Sequence, residues 1–232
     1  MCGRYSIFLP PDELEDLFGV RPAPDETFVP HYNAAPGQSL PVVTNDRPET
    51  LRHLRWGLVP SWADDEKIGN RLINARSETV AEKPAFREAY RTRRCLVLAD
   101  GFYEWKRTDG DKQPYRITRA DGEPFAMAGL WETWKPPQKQ TGLGEFGADG
   151  PNREVEALET FTIVTTEPSD FVRTYHDRMA VVLPHGAEEA WLESGGHDLL
   201  RPYEGDLRAY PVSTAVNNPT NDSPAVVEEV QV

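Results

Sequence analysis

Apolar positions along this chain fall into two rhythms, one helical and one extended. In Pro-Asp-Glu-Leu-Glu-Asp-Leu-Phe, residues 11–18, the residues Leu14, Leu17 and Phe18 share one side of a helix. Pro11 and the acidic residues suit its first turn, and Gly19 suits its end. Phe86, Ala89 and Tyr90 repeat the spacing after Pro84, and Ala187, Ala190 and Trp191 repeat it again. Between these lie runs rich in Val, Ile, Thr and aromatic residues, which predict strands over 95–99, 125–131, 160–166 and 179–183. Strands outnumber helices and do not alternate with them. The pattern predicts an α+β fold with a largely antiparallel sheet rather than a doubly wound one. Residues 135–157 are polar and rich in Gly, Pro and charge without periodicity, and are expected to form a flexible surface loop. Residues 213–232 are polar but carry Val226, Val227 and Val230, and are kept with the same domain.

Composition narrows the function classes. At 232 residues the chain suits a single domain that buries its core without disulfides. Its two cysteines, Cys2 and Cys95, make neither a disulfide framework nor a four-cysteine zinc site. Cys95 sits in an apolar run and is expected to be buried. With no CxxC, no HExxH and no phosphate-binding glycine loop, neither a metal nor a cofactor is expected. No apolar run approaches ~18 residues and the start lacks a signal-peptide core, so the expectation is a cytoplasmic protein, not a membrane one. The net charge of −13 argues against a nucleic-acid partner until it is resolved along the chain. Residues 1–110 carry −2, residues 111–232 carry −11, and the stretch 71–107 is locally +4. A polyanion responds to that local field rather than to the total. The basic residues are 19 Arg and 6 Lys, a bias that suits phosphate contacts and is equally accounted for by a GC-rich or salt-adapted source.

Cys2 carries the most chemistry. If Met1 is removed, Cys2 presents an α-amine two carbons from a thiol. With a pKa of about 7.7–8.0, roughly 10–20% of that amine is neutral at pH 7, against less than about 0.1% of a lysine. Amine and thiol together suit attack on an aldehyde: an imine forms, and sulfur closes a five-membered thiazolidine. The same terminus also suits nucleophilic hydrolysis of an amide. A cysteine here is equally compatible with being only a small second residue.

Other segments are dense in functional residue types, each with an ordinary structural explanation: Asn33 and Asn74 as turn or cap residues, Trp56, Trp62 and Trp105 as core aromatics, Glu104 and His176 as a surface ion pair. Their order changes the balance. Met-Cys-Gly-Arg-Tyr, Tyr-Asn-Ala-Ala-Pro, Arg-Trp-Gly-Leu-Val-Pro-Ser-Trp, Asn-Ala-Arg-Ser-Glu-Thr, Asp-Gly-Phe-Tyr-Glu-Trp and His-Asp-Arg-Met follow one another from residue 2, with Asn218-Pro219 and Asn221-Asp222 beyond. The set resembles the SOS-response-associated peptidase family, also called the abasic-site processing proteins.

The resemblance implies a single domain over residues 1–232, with a barrel-like, largely antiparallel β core flanked by short helices. It implies a sensor and shield of abasic sites in single-stranded DNA, crosslinked through a processed Cys2 after self-removal of Met1. Asn74, Glu104 and His176 are then the companions of Cys2. Glu104 would shuttle protons, His176 would protonate the sugar ring oxygen, and Asn74 would fix the approach. Within the same motifs Arg4, Arg76 and Arg178 are expected on phosphates, and Trp62 and Trp105 on bases. A monomer is expected, nucleoid-associated when on DNA. Three rivals remain at this level: a glutaminase with an N-terminal cysteine, a non-covalent reader of damaged or modified DNA, and a thiol peptidase acting on other proteins.

Overall fold

The computed structural model describes residues 3–108, 111–137 and 156–231. The expected surface loop at 135–157 falls almost wholly outside them. The strands are β1 (Tyr5–Ile7), β2 (Arg21–Pro22), β3 (His31–Ala34), β4 (Ser39–Thr44), β5 (Arg47–Trp56), β6 (Asn74–Arg76), β7 (Arg94–Ala99), β8 (Gly101–Thr108), β9 (Asp111–Arg119), β10 (Phe125–Trp134), β11 (Leu158–Thr166), β12 (Met179–Ala180) and β13 (Leu207–Pro211). The helices are α1 (Pro11–Phe18), α2 (Arg87–Thr92), α3 (Asp170–Arg173) and α4 (Glu188–Ser194).

A barrel forms the centre. β11, β10, β7, β4 and β5 pair in turn, and β5 returns to β11 through Thr160–Arg55 and Phe161–Trp56 to close the ring. Closure removes the exposed sheet edge and turns one side of every strand into core. Leu40, Val42, Leu54, Val97, Met127, Ile163 and Cys95 are all buried in the resulting cluster. The fold is therefore α+β with a barrel flanked by short helices, as the pattern and the resemblance imply. α1 spans the predicted residues and ends at Gly19 in the left-handed conformation (φ 67°), the geometry that glycine tolerates best.

One predicted strand comes out shorter. The run 179–183 is a strand only over Met179–Ala180. Beyond the Gly129–Ile163 pair, β10 and β11 part and this run fills the gap. Val181 N–H donates to Val164 of β11, while its carbonyl accepts from Ala128 of β10 and Leu183 N–H reaches Ala126. The segment is extended but shared between two neighbours, so no single ladder continues along it.

A second sheet, β13-β9-β8-β1-β3, is antiparallel and lies against the barrel. Tyr5 meets Trp56 at 5.3 Å between ring centroids, and Phe102 meets Phe125 edge-on at 6.3 Å. Its other face carries a separate cluster in which Tyr103 packs with Val212, Val216 and Val226. The sheet is thus covered on both sides. β8, in its middle, sends alternate side chains toward the barrel and toward the C-terminal segment.

Candidate functional site

The start of the chain is delivered to β8 by backbone pairing. Tyr5 sits opposite Phe102 and Ser6 opposite Gly101, and Tyr103 N–H donates to the Arg4 carbonyl at 3.0 Å. One more step of this antiparallel register sets Gly3 beside Glu104. Cys2 lies outside the described residues; chain geometry keeps its Cα about 3.8 Å from that of Gly3.

Glu104 is only 2% exposed. Burial raises its carboxyl to about 7, opposed by the positive charge of the chain's amino terminus and reinforced by Asp177. A carboxyl poised near neutrality can take and return a proton within one turnover, which an ordinary surface glutamate cannot do well.

His176 follows α3 on a turn that crosses the β8–β9 hairpin. Tyr175 packs on Tyr115 at 5.0 Å, and Tyr115 is the cross-strand partner of Glu104. Lys106, two positions along β8, places its ammonium 5.6 Å from the Tyr175 ring. The His176 Nδ1 faces two groups at once: Arg178 N–H at 3.0 Å and an Asp177 carboxylate oxygen at 2.8 Å. The N–H contact requires a lone pair on Nδ1 and the carboxylate contact requires a proton there, so the two report opposite protonation states of one nitrogen. Burial, joined by the charge of the amino terminus, holds the imidazole below its ordinary value against the pull of Asp177. At neutral pH the ring is accordingly neutral, with Nδ1 accepting from Arg178 and the proton on Nε2.

Asn74 opens β6, which pairs in parallel with β11 through Asn74–Ile163 and Arg76–Thr165. Beside it runs a groove of about 550 Å³ lined by Trp62, Arg71, Asn74, Arg76, Lys83 and Phe86. Trp62 is 58% exposed, an unusual state for an indole, and its Nε1–H reaches only the Pro84 carbonyl at 3.4 Å. Arg76 is exposed, and its guanidinium makes no hydrogen bond or ion pair among the described residues. The basic stretch read from the sequence surfaces here only in part. Arg94 is buried, donating to the carbonyls of Trp191, Leu192 and Glu193, and Arg93 is paired with Glu132. Arg71, Arg76 and Lys83 are what the groove retains.

Arg178, Arg4 and Trp105 are placed differently from Arg76 and Trp62. The Arg178 guanidinium grips Glu78 with both terminal nitrogens and donates to the Thr165 carbonyl at 2.8 Å. Arg4 donates to Asn33 Oδ1 at 2.7 Å and to the Val216 carbonyl at 2.6 Å, with its guanidinium over the Trp105 ring at 5.9 Å. Trp105 Nε1–H donates to Asn217 at 2.7 Å. Asn33, fully buried, donates from one nitrogen to the carbonyls of Val216, Asn218 and Asn221. Asp222 receives the backbone N–H groups of Tyr32 and Asn33. Arg4, Trp105, Asn33 and Asp222 latch the C-terminal segment over the outer face of the second sheet; neither they nor Arg178 line the groove.

Other motif residues serve the fold. Trp56 is buried against Tyr5 and Phe161 and bonds to the Ile73 carbonyl. Asp100 forms a buried ion pair with Arg116 at 2.6 Å while accepting from Ser6 and Phe8 N–H. Gly101 makes room for it: a Cβ there would come within 2.9 Å of the Arg116 guanidinium. Cys95 is a buried free thiol, pushed up by its apolar surroundings and so unreactive. Glu78 and Asp177 had no individual signal in the sequence. Glu78 meets its partner exactly one hundred positions away, and only the fold reveals the pair.

Among the described residues no helix is long and apolar enough to cross a membrane. Residues 1–219 match the family described as SOS response associated peptidase. The Bacillus subtilis protein named abasic site processing protein YoqW is 41% identical over 238 residues, covering 98% of this chain and 99% of its own. The Xenopus tropicalis abasic site processing protein HMCES is 31% identical over 273 residues, covering 97% of this chain and 77% of its own. A solved structure from Bacteroides thetaiotaomicron superposes with a TM-score of 0.82 at 26% identity, covering 99% of this chain and 100% of that one. With matched motifs from the chain start through the latch, this protein belongs to the SOS response associated peptidase family.

Proposed function

We propose that this protein shields abasic sites in single-stranded DNA by forming a thiazolidine through Cys2. Hydrolysis of the Met1–Cys2 bond frees the α-amine. The amine adds to the C1′ aldehyde of the ring-opened sugar, and the carbinolamine loses water to give an imine. The Cys2 sulfur then adds to the imine carbon while its proton passes to nitrogen, closing the ring; the condensation releases one water in all. Glu104 takes the ammonium proton and returns it to the departing hydroxyl. His176, neutral and protonated at Nε2, donates to the sugar ring oxygen as it opens. Asn74 orients the reactants, Arg76 meets a phosphate, and Trp62 stacks on a base.

The observation that carries this reading is the buried Glu104, held near neutrality beside the strand that brings in the chain start. The relatives are named for processing abasic sites, the same class of lesion. The test mixes Met1-processed protein with a single strand bearing one abasic site and resolves the products on a denaturing gel. A shifted band is expected from the wild type, none from Cys2→Ala, and one from Cys2→Ser only after borohydride reduction. If confirmed processing yields no shifted band, while the protein still retards the strand on a native gel, the non-covalent reading takes its place.

A further inference from the structure

The His176 turn is held by a side chain that the chemistry above does not use. Ser77 N–H and the Arg178 guanidinium both donate to the Thr165 carbonyl, so the turn after β6 and the 176–178 turn meet on one atom of β11. Across that junction Glu78 binds Arg178 through both carboxylate oxygens, a fork-on-fork geometry that fixes the guanidinium plane. The backbone N–H of the same Arg178 is the donor to His176 Nδ1. The Arg178 side chain is 15% exposed and that of Glu78 51%, so solvent reaches the acid more readily than the base it holds.

We infer that Glu78 is a positioning residue: by clamping Arg178 it holds the Arg178 N–H against His176 Nδ1 and so keeps the imidazole proton on Nε2. The inference deepens the reading above and rests on it only for the role of His176 in the reaction. Without the clamp the turn relaxes, Nδ1 loses the Arg178 N–H, and Asp177 at 2.8 Å becomes its natural partner. That partner favours a proton on Nδ1, which moves the Nε2-only tautomer toward the imidazolium. The other charge acting on the ring, that of the chain's amino terminus, stays as it is, as does the Lys106 ammonium against the neighbouring Tyr175 ring.

The competing role for Glu78 is that of a counter-ion that a DNA phosphate displaces from Arg178. Two measurements separate them. Nitrogen-15 histidine spectra from pH 5 to 9 report tautomer and titration without DNA, with His176→Gln assigning the signal. In Glu78→Ala, His176 is expected to lose its pure Nε2–H tautomer and to titrate about half a pH unit higher or more, while His31, His53, His185 and His197 stay unchanged. Glu78→Asp, which keeps the charge on a shorter arm, restores the wild-type spectrum in part. Crosslinking of the abasic strand by Glu78→Ala falls about tenfold at pH 7, with affinity for an undamaged strand within about twofold. An unchanged His176 spectrum in Glu78→Ala overturns the inference, and a gain in strand affinity beside it assigns Glu78 as the counter-ion. If the wild type forms no crosslink, the spectra still decide what Glu78 does and only the reading of the reaction fails.

Discussion

The two faces of β8 put neighbouring residues of one motif to opposite uses. On the face turned to the barrel, Phe102 seals the core and Glu104 is buried beside the chain start, held near neutrality. On the other face, Tyr103 and Trp105 hold the C-terminal segment, with the Tyr103 hydroxyl on the Tyr32 carbonyl at 2.6 Å and the Trp105 indole on Asn217. The same division separates the arginines and tryptophans. The terminal guanidinium nitrogens of Arg4 and the indole N–H of Trp105 rest on protein acceptors, whereas Arg76 and Trp62 face an open groove. Residue type is common to both regions; what distinguishes them is whether the side chain is packed into the fold or left open to solvent.

Five substitutions test that division, and the largest effect is expected at Glu104. Glu104→Gln should slow crosslinking by about a hundredfold or more and flatten the rise in rate with pH through about 7. The same change should stabilise the protein at alkaline pH. A carboxyl raised in the folded state binds protons more tightly there than in the unfolded chain, so wild-type stability falls as pH climbs from about 4.5 to 7, by up to about 3 kcal/mol. Urea melts of both proteins at pH 5 and pH 8 read this directly, and equal pH dependence would count against a buried, neutral Glu104.

Asn33→Ala should do the reverse, costing about 3 kcal/mol in a urea melt because three carbonyls lose a buried donor and Arg4 loses an acceptor. Trp62→Ala should weaken single-strand binding by about 1–3 kcal/mol in a fluorescence titration and leave the melt unchanged. The smallest effect separates the arginines. Arg76→Ala should lower the slope of log affinity against log salt by about 0.7, and Arg4→Ala should leave that slope alone while lowering stability. A slope that changed for Arg4 and not for Arg76 would invert the comparison.

The sequence made β7, β10, β11 and α1 legible because one-sided or continuous burial leaves a periodic trace. It hid the β8–β9 hairpin: Phe102, Tyr103, Glu104 and Trp105 face buried surroundings on both sides, so apolar and polar positions do not alternate. β4 and β5 were masked by Pro41 and by Arg52, His53 and Arg55, whose polar heads are met by Glu159, Glu26 and Glu66. At the site, the motif resemblance singled out Asn74, Glu104 and His176 together with the arginines, but not the protein partners that the arginines find in the fold. Arg4 and Arg178 find partners 212 and 100 positions away, and no local pattern encodes a contact that distant.

The bond from Arg4 to Val216 also has a timetable. A ribosome adding about 5–20 residues per second needs on the order of ten to forty seconds to cover the 212 positions between them. Throughout that interval the acceptor for Arg4 has not been made, and the outer face of the second sheet lacks its cover. The strand that delivers the nucleophile leaves the ribosome long before the segment that locks it in place. A nascent chain therefore carries its reactive end before it has a finished site in which to use it.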